Sequence, residues 1–424
     1  MNKSKIYNRL SMRRVVITGM GVITPVGNNV ETFWNNLVNG VCGIDRITYF
    51  PTDELPVHIA GEIRGFNAKE FGVDPQTIRK SDRFCLYALS AANQAVEDSG
   101  LVAQENIEAG RFGVYVGSGI GGMDTFIEET RKMDREGANR ISPLFIPMMI
   151  SNIASGNIAI KHNAQGPCLP VVTACATGTH AIGEAFRAIK HGYADAIIAG
   201  GAEASISPLS IGGFANSKAL SRSEDPLQGS LPFDARRQGF VMAEGAGIVV
   251  LEEYEHAKAR GAKIYAEVCG YGNSCDAYHY TAPRPDGTTP AAAIRQALNE
   301  AGYRPGEVAH FNAHGTGTPL NDKSETAAIK LALGEEDARR AVICSTKSMT
   351  GHMLGAAGGV ELAAAALAIR DGIVPPTIGL TEADPDCDLD YTPLKARKCD
   401  FTIALSNSLG FGGHNGSIAL RRVE

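Results

Sequence analysis

The 424-residue chain has no C-x-x-C pair. Its nine cysteines (Cys42, Cys85, Cys168, Cys175, Cys269, Cys275, Cys344, Cys387 and Cys399) are odd in number and scattered. That distribution argues against a disulfide framework and against a structural zinc site. No apolar run is long enough to cross a bilayer, and the polar N-terminus lacks the apolar segment of a signal peptide. Positive charge is not in excess either. Lys and Arg number 40 against 46 Asp and Glu, a net charge of -6 that argues against general nucleic-acid binding. What remains is a reduced, soluble protein expected in the cytoplasm, with no membrane and no nucleic acid among its partners.

The composition present is that of a globular protein, 44% hydrophobic and 20% charged. Such a length exceeds one simple core and predicts two or three domains. Glycine is abundant at 48 residues, so many positions need tight turns or close backbone approach.

Residues 1–12 are polar and are read as an N-terminal extension, with Met12 as an alternative start. A strand is expected at Arg14–Thr18, turned by Gly19-Met20-Gly21 towards a helix at 30–39, and a long helix at 81–99 ends at Gly100. Strands follow at 112–116, at 194–199 ending in Gly200-Gly201, and at 245–252, with a helix at 254–260. A strand at 263–271 restarts the pattern. It continues through helices at 290–301, 323–333 and 355–371 and strands at 308–313, 342–345, 401–407 and 416–421. Two halves of similar grammar, 13–262 and 263–424, predict a duplicated α/β fold packed as one body.

Val171-Val172-Thr173-Ala174-Cys175-Ala176-Thr177-Gly178-Thr179-His180 reads as a strand end running into a buried helix. Cys175 then lies at the helix N-terminus, where the macrodipole and free N–H groups favour a thiolate and, later, an oxyanion. Alone, such a cysteine is equally a small core residue. Two more strand ends change that balance: Phe311-Asn312-Ala313-His314-Gly315-Thr316-Gly317-Thr318-Pro319, and Ser345-Thr346-Lys347-Ser348-Met349-Thr350-Gly351-His352. Open α/β sheets place their chemistry at strand ends. Gly117-Ser118-Gly119-Ile120-Gly121-Gly122 formally matches a dinucleotide fingerprint, but no acidic residue closes a second strand about twenty positions later. It is read as a flexible backbone wall beside a pocket.

The T-A-C-A-T-G, A-H-G-T-G-T-P and S-T-K-S-M-T-G-H runs, with Ser406-Asn407-Ser408-Leu409-Gly410-Phe411-Gly412-Gly413-His414-Asn415, fall in one order. Over residues 14–421 the chain resembles the β-ketoacyl-acyl-carrier-protein synthases, decarboxylating condensing enzymes, and within them most closely the elongating type. The resemblance implies a thiolase-like, duplicated five-layer αβαβα fold and a homodimer. It also implies malonyl-acyl carrier protein as the second substrate, the acyl carrier protein as partner, and neither redox cofactor nor catalytic metal. Cys175 would carry a fatty acyl chain, while His314 and His352, as neutral imidazoles, would stabilise the enolate left by decarboxylation. His314 would also assist that step. Backbone N–H groups of Cys175 and Phe411 would hold the tetrahedral oxyanion.

By the same resemblance Lys347 is a supporting catalytic residue paired with Glu361, with a plain buried ion pair as the equal alternative. Asp322 and Glu325 form a supporting network. Thr316 and Thr318 match threonines that bind a pantetheine arm, and Thr281 matches a residue near the tunnel mouth. Phe214 and Ile120 match acyl-pocket positions. Phe411 matches a gating residue, with Gly410, Gly412 and Gly413 letting its loop move. A basic rim for an acidic carrier protein is sought at Arg79, Lys80, Arg83, Arg140 and Lys218. Leu409 and His414 depart from the commoner Phe and Thr, and His414 is read as a structural neighbour of the loop.

Competing readings are the ketosynthase of a dissociated polyketide or aryl-polyene system, and a non-catalytic chain-length partner. The latter lacks the nucleophile that Cys175 provides. A thiolase would carry a second catalytic cysteine, a starter-unit synthase an Asn for one histidine. A multidomain polyketide synthase would need acyltransferase and carrier segments beyond what 424 residues hold. Papain-like hydrolases need a C-G-S-C-W context that no cysteine here has.

Overall fold

The computed structural model describes residues 13–423, so the extension read at 1–12 lies outside the described residues. Nine strands form one sheet: β1 (Val15–Ile23), β2 (Phe112–Gly117), β3 (Ala196–Glu203), β4 (Gly245–Glu253), β5 (Ala266–Cys275), β6 (Ala309–Asn312), β7 (Val342–Cys344), β8 (Ile403–Gly410) and β9 (His414–Arg421). Their order is β2-β3-β4-β1-β5-β9-β8-β6-β7. The longer helices are α1 (Val30–Val38), α2 (Arg83–Ser99), α3 (Met123–Glu136), α4 (Ile153–His162), α5 (Thr177–Lys190), α6 (Pro208–Asn216), α7 (Thr288–Glu300), α8 (Pro319–Leu333) and α9 (Ala357–Asp371).

The pairing pattern repeats. In the first half β1 pairs antiparallel with β4, β4 antiparallel with β3, β3 parallel with β2, and β2 parallel with Cys168 through one isolated bridge. In the second half β5, β9, β8, β6 and β7 pair in the same senses and the same order. The halves join where β1 pairs antiparallel with β5. Duplication is therefore visible in hydrogen bonding even though the two halves share little visible sequence identity.

Helix α5 touches β2, β3 and β4 on one side and β5 and β9 on the other; α9 lies beside it, against β3 and β4 and against β6, β8 and β9. Helices α2 and α4 cover the outer face of the first half-sheet, and α7, backed by α8, covers that of the second. The result is five layers, helix–sheet–helix–sheet–helix. The sequence of α9, Ala357 to Ile369, is small or apolar on every face apart from Glu361 and is buried throughout, as a central layer requires. Strands β1, β3 and β4 are buried along their whole length, as strands covered on both faces must be.

Two glycine pairs expected to end strands sit inside them. Strand β1 runs on through Gly19 and Gly21 to Ile23, because α2 presses on it there. A Cβ on Gly19 would stand 2.0 Å from the Ala95 carbonyl oxygen, and one on Gly21 2.0 Å from that of Ala91. Strand β3 likewise continues through Gly200-Gly201 to Glu203. These glycines serve close backbone approach, not turning. Gly21→Ala is expected to cost about 1–3 kcal/mol of stability by forcing α2 off the sheet. Urea unfolding checks this, and a variant as stable as wild type would refute the role given to Gly21.

Candidate active site

Cys175 follows the segment bridged to β2. Thr173 N–H donates to Thr177 Oγ1 (2.9 Å), Ala174 is held at φ +51°, and one 3-10 turn, Ala174–Ala176, leads into α5. A non-glycine residue at positive φ is strained, and here the strain lies one position before the predicted nucleophile. The second half repeats the turn: Leu354 at φ +46°, the 3-10 turn Leu354–Ala356, then α9. Gly355 thus holds in the second half the place of Cys175 in the first.

The loop from β8 to β9 closes over the nucleophile. A Cβ on Gly410 would meet Thr173 O at 2.8 Å and Cys175 N at 3.3 Å, so only glycine fits against that turn. Gly412 and Gly413 adopt φ of +88° and +78°, and the Phe411 N–H they present favours the ionised form of the Cys175 sulfur. Burial nonetheless dominates and pushes the thiol up to about 11, with the Lys347 cation opposing it. Burial thus opposes the thiolate that the helix terminus favours, while Lys347 and the Phe411 N–H support it.

His314 follows β6 by two residues, in a loop that two carboxylates of α8 hold. Glu325 accepts from the N–H groups of His314 and Gly315 (2.8 Å each), and Asp322 from those of Thr316 (3.1 Å), Gly317 (3.1 Å) and Phe233 (2.8 Å). The supporting network read for Asp322 and Glu325 is therefore a clamp on the loop's backbone. Burial raises both carboxyls, Glu325 to about 7.

Lys347 opens a short helix after β7, is buried, and donates to Glu361 of α9. Its Nζ also lies 3.4 Å from His314 Nδ1. A cation donating to Nδ1 leaves the ring proton on Nε2, which makes Nε2 a donor. The rings of His314 and His352 stand 5.2 Å apart at 86°, and Phe240 meets His352 edge-on at 5.2 Å. Burial, together with Lys347, holds both imidazoles well below the usual histidine range, hence neutral.

Cys175, His314, His352 and Phe411 line one cavity of about 340 Å³ with Thr281, Thr316, Thr318, Lys218, Leu409 and Asp276. The Thr316 and Thr318 hydroxyls are 3.0 Å apart. Phe214 packs between Phe240 (5.7 Å) and Phe411 (6.2 Å), in the apolar cluster around Cys175. Leu409 is on the cavity wall. The His414 ring lies against Gly412, 6.3 Å from the His180 ring, as a neighbour of the loop.

Two expectations are corrected. The glycine run read as flexible is clamped: the N–H groups of Gly119 and Ile120 donate to Glu203, and Ile120 is 37% exposed. Arg83 is not a free rim residue: it pairs with Asp124 (3.0 Å) and buried Glu244 (3.2 Å) and stacks on Tyr49. Arg79, Lys80, Arg140 and Lys218 are exposed, Arg140 beside Glu136 at 3.6 Å.

Sequence reasoning missed Asp276, Phe240 and Glu203. Asp276, buried at the end of β5, donates its N–H to Gly413 O (2.8 Å) and accepts from Asn415 Nδ2 (2.7 Å) and Arg284 N–H (3.0 Å), tying down the loop of Phe411. A lone carboxylate at a strand end was the available signal.

A cysteine just after a strained residue at a helix N-terminus, two dry neutral imidazoles and a lysine–glutamate pair are the equipment of a thioester-condensing enzyme of the duplicated α/β class. The family model described as β-ketoacyl synthase, N-terminal domain, matches residues 12–257, and that described as β-ketoacyl synthase, C-terminal domain, matches 265–381. The chain belongs to the β-ketoacyl synthase family. It is 50% identical to 3-oxoacyl-[acyl-carrier-protein] synthase 2 of Staphylococcus aureus (strain COL) over 412 residues, 97% of this chain and 99% of that one. It is also 50% identical to the protein of that name from Synechocystis sp., over 98% of this chain and 99% of the relative. A type II polyketide acyl-carrier protein in complex with its ketosynthase is similar in structure (TM-score 0.90, 37% identity, 98% of this chain and 100% of that one). So is a β-ketoacyl synthase from Burkholderia phymatum (TM-score 0.89, 35% identity, 97% and 100%).

Two outcomes follow from the electrostatics. Lys347→Met removes the cation that lowers the Cys175 pKa, so alkylation of Cys175 by iodoacetamide at fixed pH should slow. It also leaves Glu361 buried and unpaired, which should cost about 3–5 kcal/mol of stability. Unchanged alkylation would refute the coupling. Histidines 162, 310, 314 and 352 all have folded pKa values below 6.5, those of His162 and His310 at about 4. Below pH 6.5 these four histidines bind more protons in the unfolded chain than in the folded one, while Glu325 and Glu361, raised to about 7, act in the opposite sense. The four histidines outnumber the two carboxyls, so the thermal midpoint should fall between about pH 7 and about pH 5, and a midpoint that rises on acidification would contradict the neutral histidines.

Proposed function

We infer that the chain catalyses decarboxylative condensation of malonyl-acyl carrier protein with a cysteine-bound fatty acyl chain, giving a β-ketoacyl-acyl carrier protein two carbons longer. The observation that carries this reading is the meeting of Cys175, His314 and His352 on one cavity, with both imidazoles neutral. Full-length identity of about one half to relatives named as 3-oxoacyl-acyl-carrier-protein synthases supports fatty-acid elongation over polyketide service.

The Cys175 sulfur takes the acyl group from its carrier and releases the carrier's thiol. The malonyl thioester then loses carbon dioxide. The electron pair of the broken C–C bond becomes an enolate, whose oxygen accepts hydrogen bonds from His314 and His352. Charged imidazoliums would be costly in so dry a site, whereas neutral N–H donors are not. The enolate carbon attacks the acyl-cysteine carbonyl. The resulting oxyanion lies at the N–H groups of Cys175 and Phe411, and collapse returns the electron pair to the sulfur. Thr316, Thr318 and Thr281 line the way in and suit a pantetheine arm. Lys218 at the cavity, with Arg79, Lys80 and Arg140, supplies positive charge for an acidic carrier protein. No cofactor is needed for any of these steps.

A second copy of the chain is the partner that fits the free edge of the first half. Leu169 and Val172 lie beyond the last bridge of that edge, Ile160 lies on α4, which packs on β2, and Ile146 on the short helix Phe145–Met149 that touches α4. All four are exposed large apolar side chains. Such edges are normally covered. No helix among the described residues is long and apolar enough to cross a membrane, and a cytoplasmic place suits a chain with nine free cysteines.

Purified enzyme with acyl- and malonyl-carrier protein should give a two-carbon-longer β-ketoacyl product by mass spectrometry, absent in Cys175→Ala. No product from any saturated donor, with Cys175 still acylated, would turn the assignment to polyketide synthesis. Leu169→Asp should convert a dimer to a monomer in analytical ultracentrifugation, and a monomeric wild type would overturn the dimer.

A further inference from the structure

Glu203 ends β3 and is fully buried, yet none of the condensation steps above gives it a task. Its Oε1 accepts from Ser118 Oγ (2.7 Å) and the Ile120 N–H (3.2 Å), with Ser205 Oγ at 3.4 Å. Its Oε2 accepts from the N–H groups of Gly119 (2.9 Å) and Gly355 (3.1 Å). These donors come from two segments far apart in the chain, the loop after β2 and the turn that opens α9.

Both segments touch the nucleophile's surroundings. A Cβ on Gly119 would stand 3.5 Å from the carbonyl oxygen of Ala174, the strained residue before Cys175. Gly355 is the counterpart of Cys175, and a Cβ there would meet Gly119 N at 2.6 Å and Glu203 Oε2 at 2.8 Å. Two helix N-termini therefore carry two acidic groups, the Cys175 sulfur at α5 and the Glu203 carboxylate at α9. An anion is favoured at each by the free N–H groups and the dipole. A buried carboxylate costs far more than an apolar side chain unless donors surround it. Here its four hydrogen bonds from Ser118, Gly119, Ile120 and Gly355 do so.

We propose that Glu203 is a positioning residue for the condensation: its carboxylate holds the Ser118–Ile120 loop and the opening turn of α9 in register with the turn that carries Cys175. The proposal rests on the condensing reading above. The same negative charge opposes ionisation of the Cys175 thiol. Gln at this position would offer one oxygen and one NH2 group, and the NH2 would face N–H donors whichever way it turned. Asp would keep the charge but fall one methylene short.

The test uses full-length wild type, Glu203→Gln and Glu203→Asp. It measures condensation kinetics with carrier-protein substrates and the pH dependence of Cys175 alkylation by iodoacetamide. Misplaced reacting groups should lower kcat in both variants by up to about 100-fold, with KM little changed. The alkylation midpoint should move to lower pH in Glu203→Gln alone, because only that variant removes the charge. Wild-type kcat together with a wild-type alkylation midpoint in Glu203→Gln, even with lowered thermal stability, would overturn the proposal and leave Glu203 merely structural. Should Glu203→Gln not fold, Ser118→Ala serves, since it removes one donor and keeps the charge. A lowered kcat with a wild-type alkylation midpoint supports the proposal, and an unchanged kcat overturns it. Failure of the wild type to condense would sink the condensing reading instead, while the alkylation profiles would still report on the charge of Glu203.

Discussion

The contact on which the rest of the molecule depends is the crossing of α5 and α9. A Cβ on Gly178 would come within 2.8 Å of Gly359 N, and one on Gly358 within 2.3 Å of Thr179 N, so the two backbones touch. Only glycines permit that approach. Because they touch, the 3-10 turns that open both helices meet between the two half-sheets. Any larger residue at the crossing would part the helices, and with them the turn carrying Cys175 and the turn that follows His352.

That burial, more than any single charge, sets the protonation of the site. It pushes the Cys175 thiol up and holds both imidazoles well below the usual histidine range. Neutral histidines are donors that cost little to keep dry. The ionic charge that is present comes in satisfied form. Lys347 is paired with Glu361 and shares a contact with His314 Nδ1, while Glu325 and Asp322 spend their oxygens on backbone N–H groups of the His314 loop. The Lys347–Glu361 pair is thus both a structural ion pair and the group that orients an imidazole, so the two readings of Lys347 are not exclusive.

The candidate site was legible because its chemistry demands particular residue types in the loops that follow strands. Cys175 follows Val171-Val172-Thr173, while His314 and His352 sit in Gly/Thr-rich and Ser/Thr-rich segments after β6 and β7, patterns that survive in a single sequence. The duplicated alternation of strand and helix was legible for the same reason. Close approach between backbones was not. Gly19, Gly21, Gly200 and Gly201 look identical to turn glycines until the backbone that presses on each is placed, that of α2 on the first pair and those of Gly247 and Gly355 on the second. Ion pairing across the chain was equally hidden: Arg83 looks like a rim cation in sequence, and only the fold brings Glu244 and Asp124 to it. The glycine run before α3 looked flexible because the carboxylate from β3 that holds the Gly119 and Ile120 N–H groups has no spacing signature.

The repeat of the turn in both halves explains how one ancestral geometry serves two purposes. Ala174 and Leu354 share the same strained φ, and each precedes a helix whose first N–H groups need an anion or an acceptor. In the first half the residue after the strain is Cys175, and the free helix terminus faces the cavity. In the second half it is Gly355, whose lack of a side chain admits the Glu203 carboxylate and the Gly119 backbone. The second half has instead put its chemistry one strand end earlier, at His314, and just before the repeated turn, at His352. A symmetric scaffold thereby yields an asymmetric site, with the nucleophile from one half and the proton donors from the other. The two have to be held in register by groups that touch both, among which the glycines of the crossing and the carboxylate of Glu203 stand nearest to the sulfur.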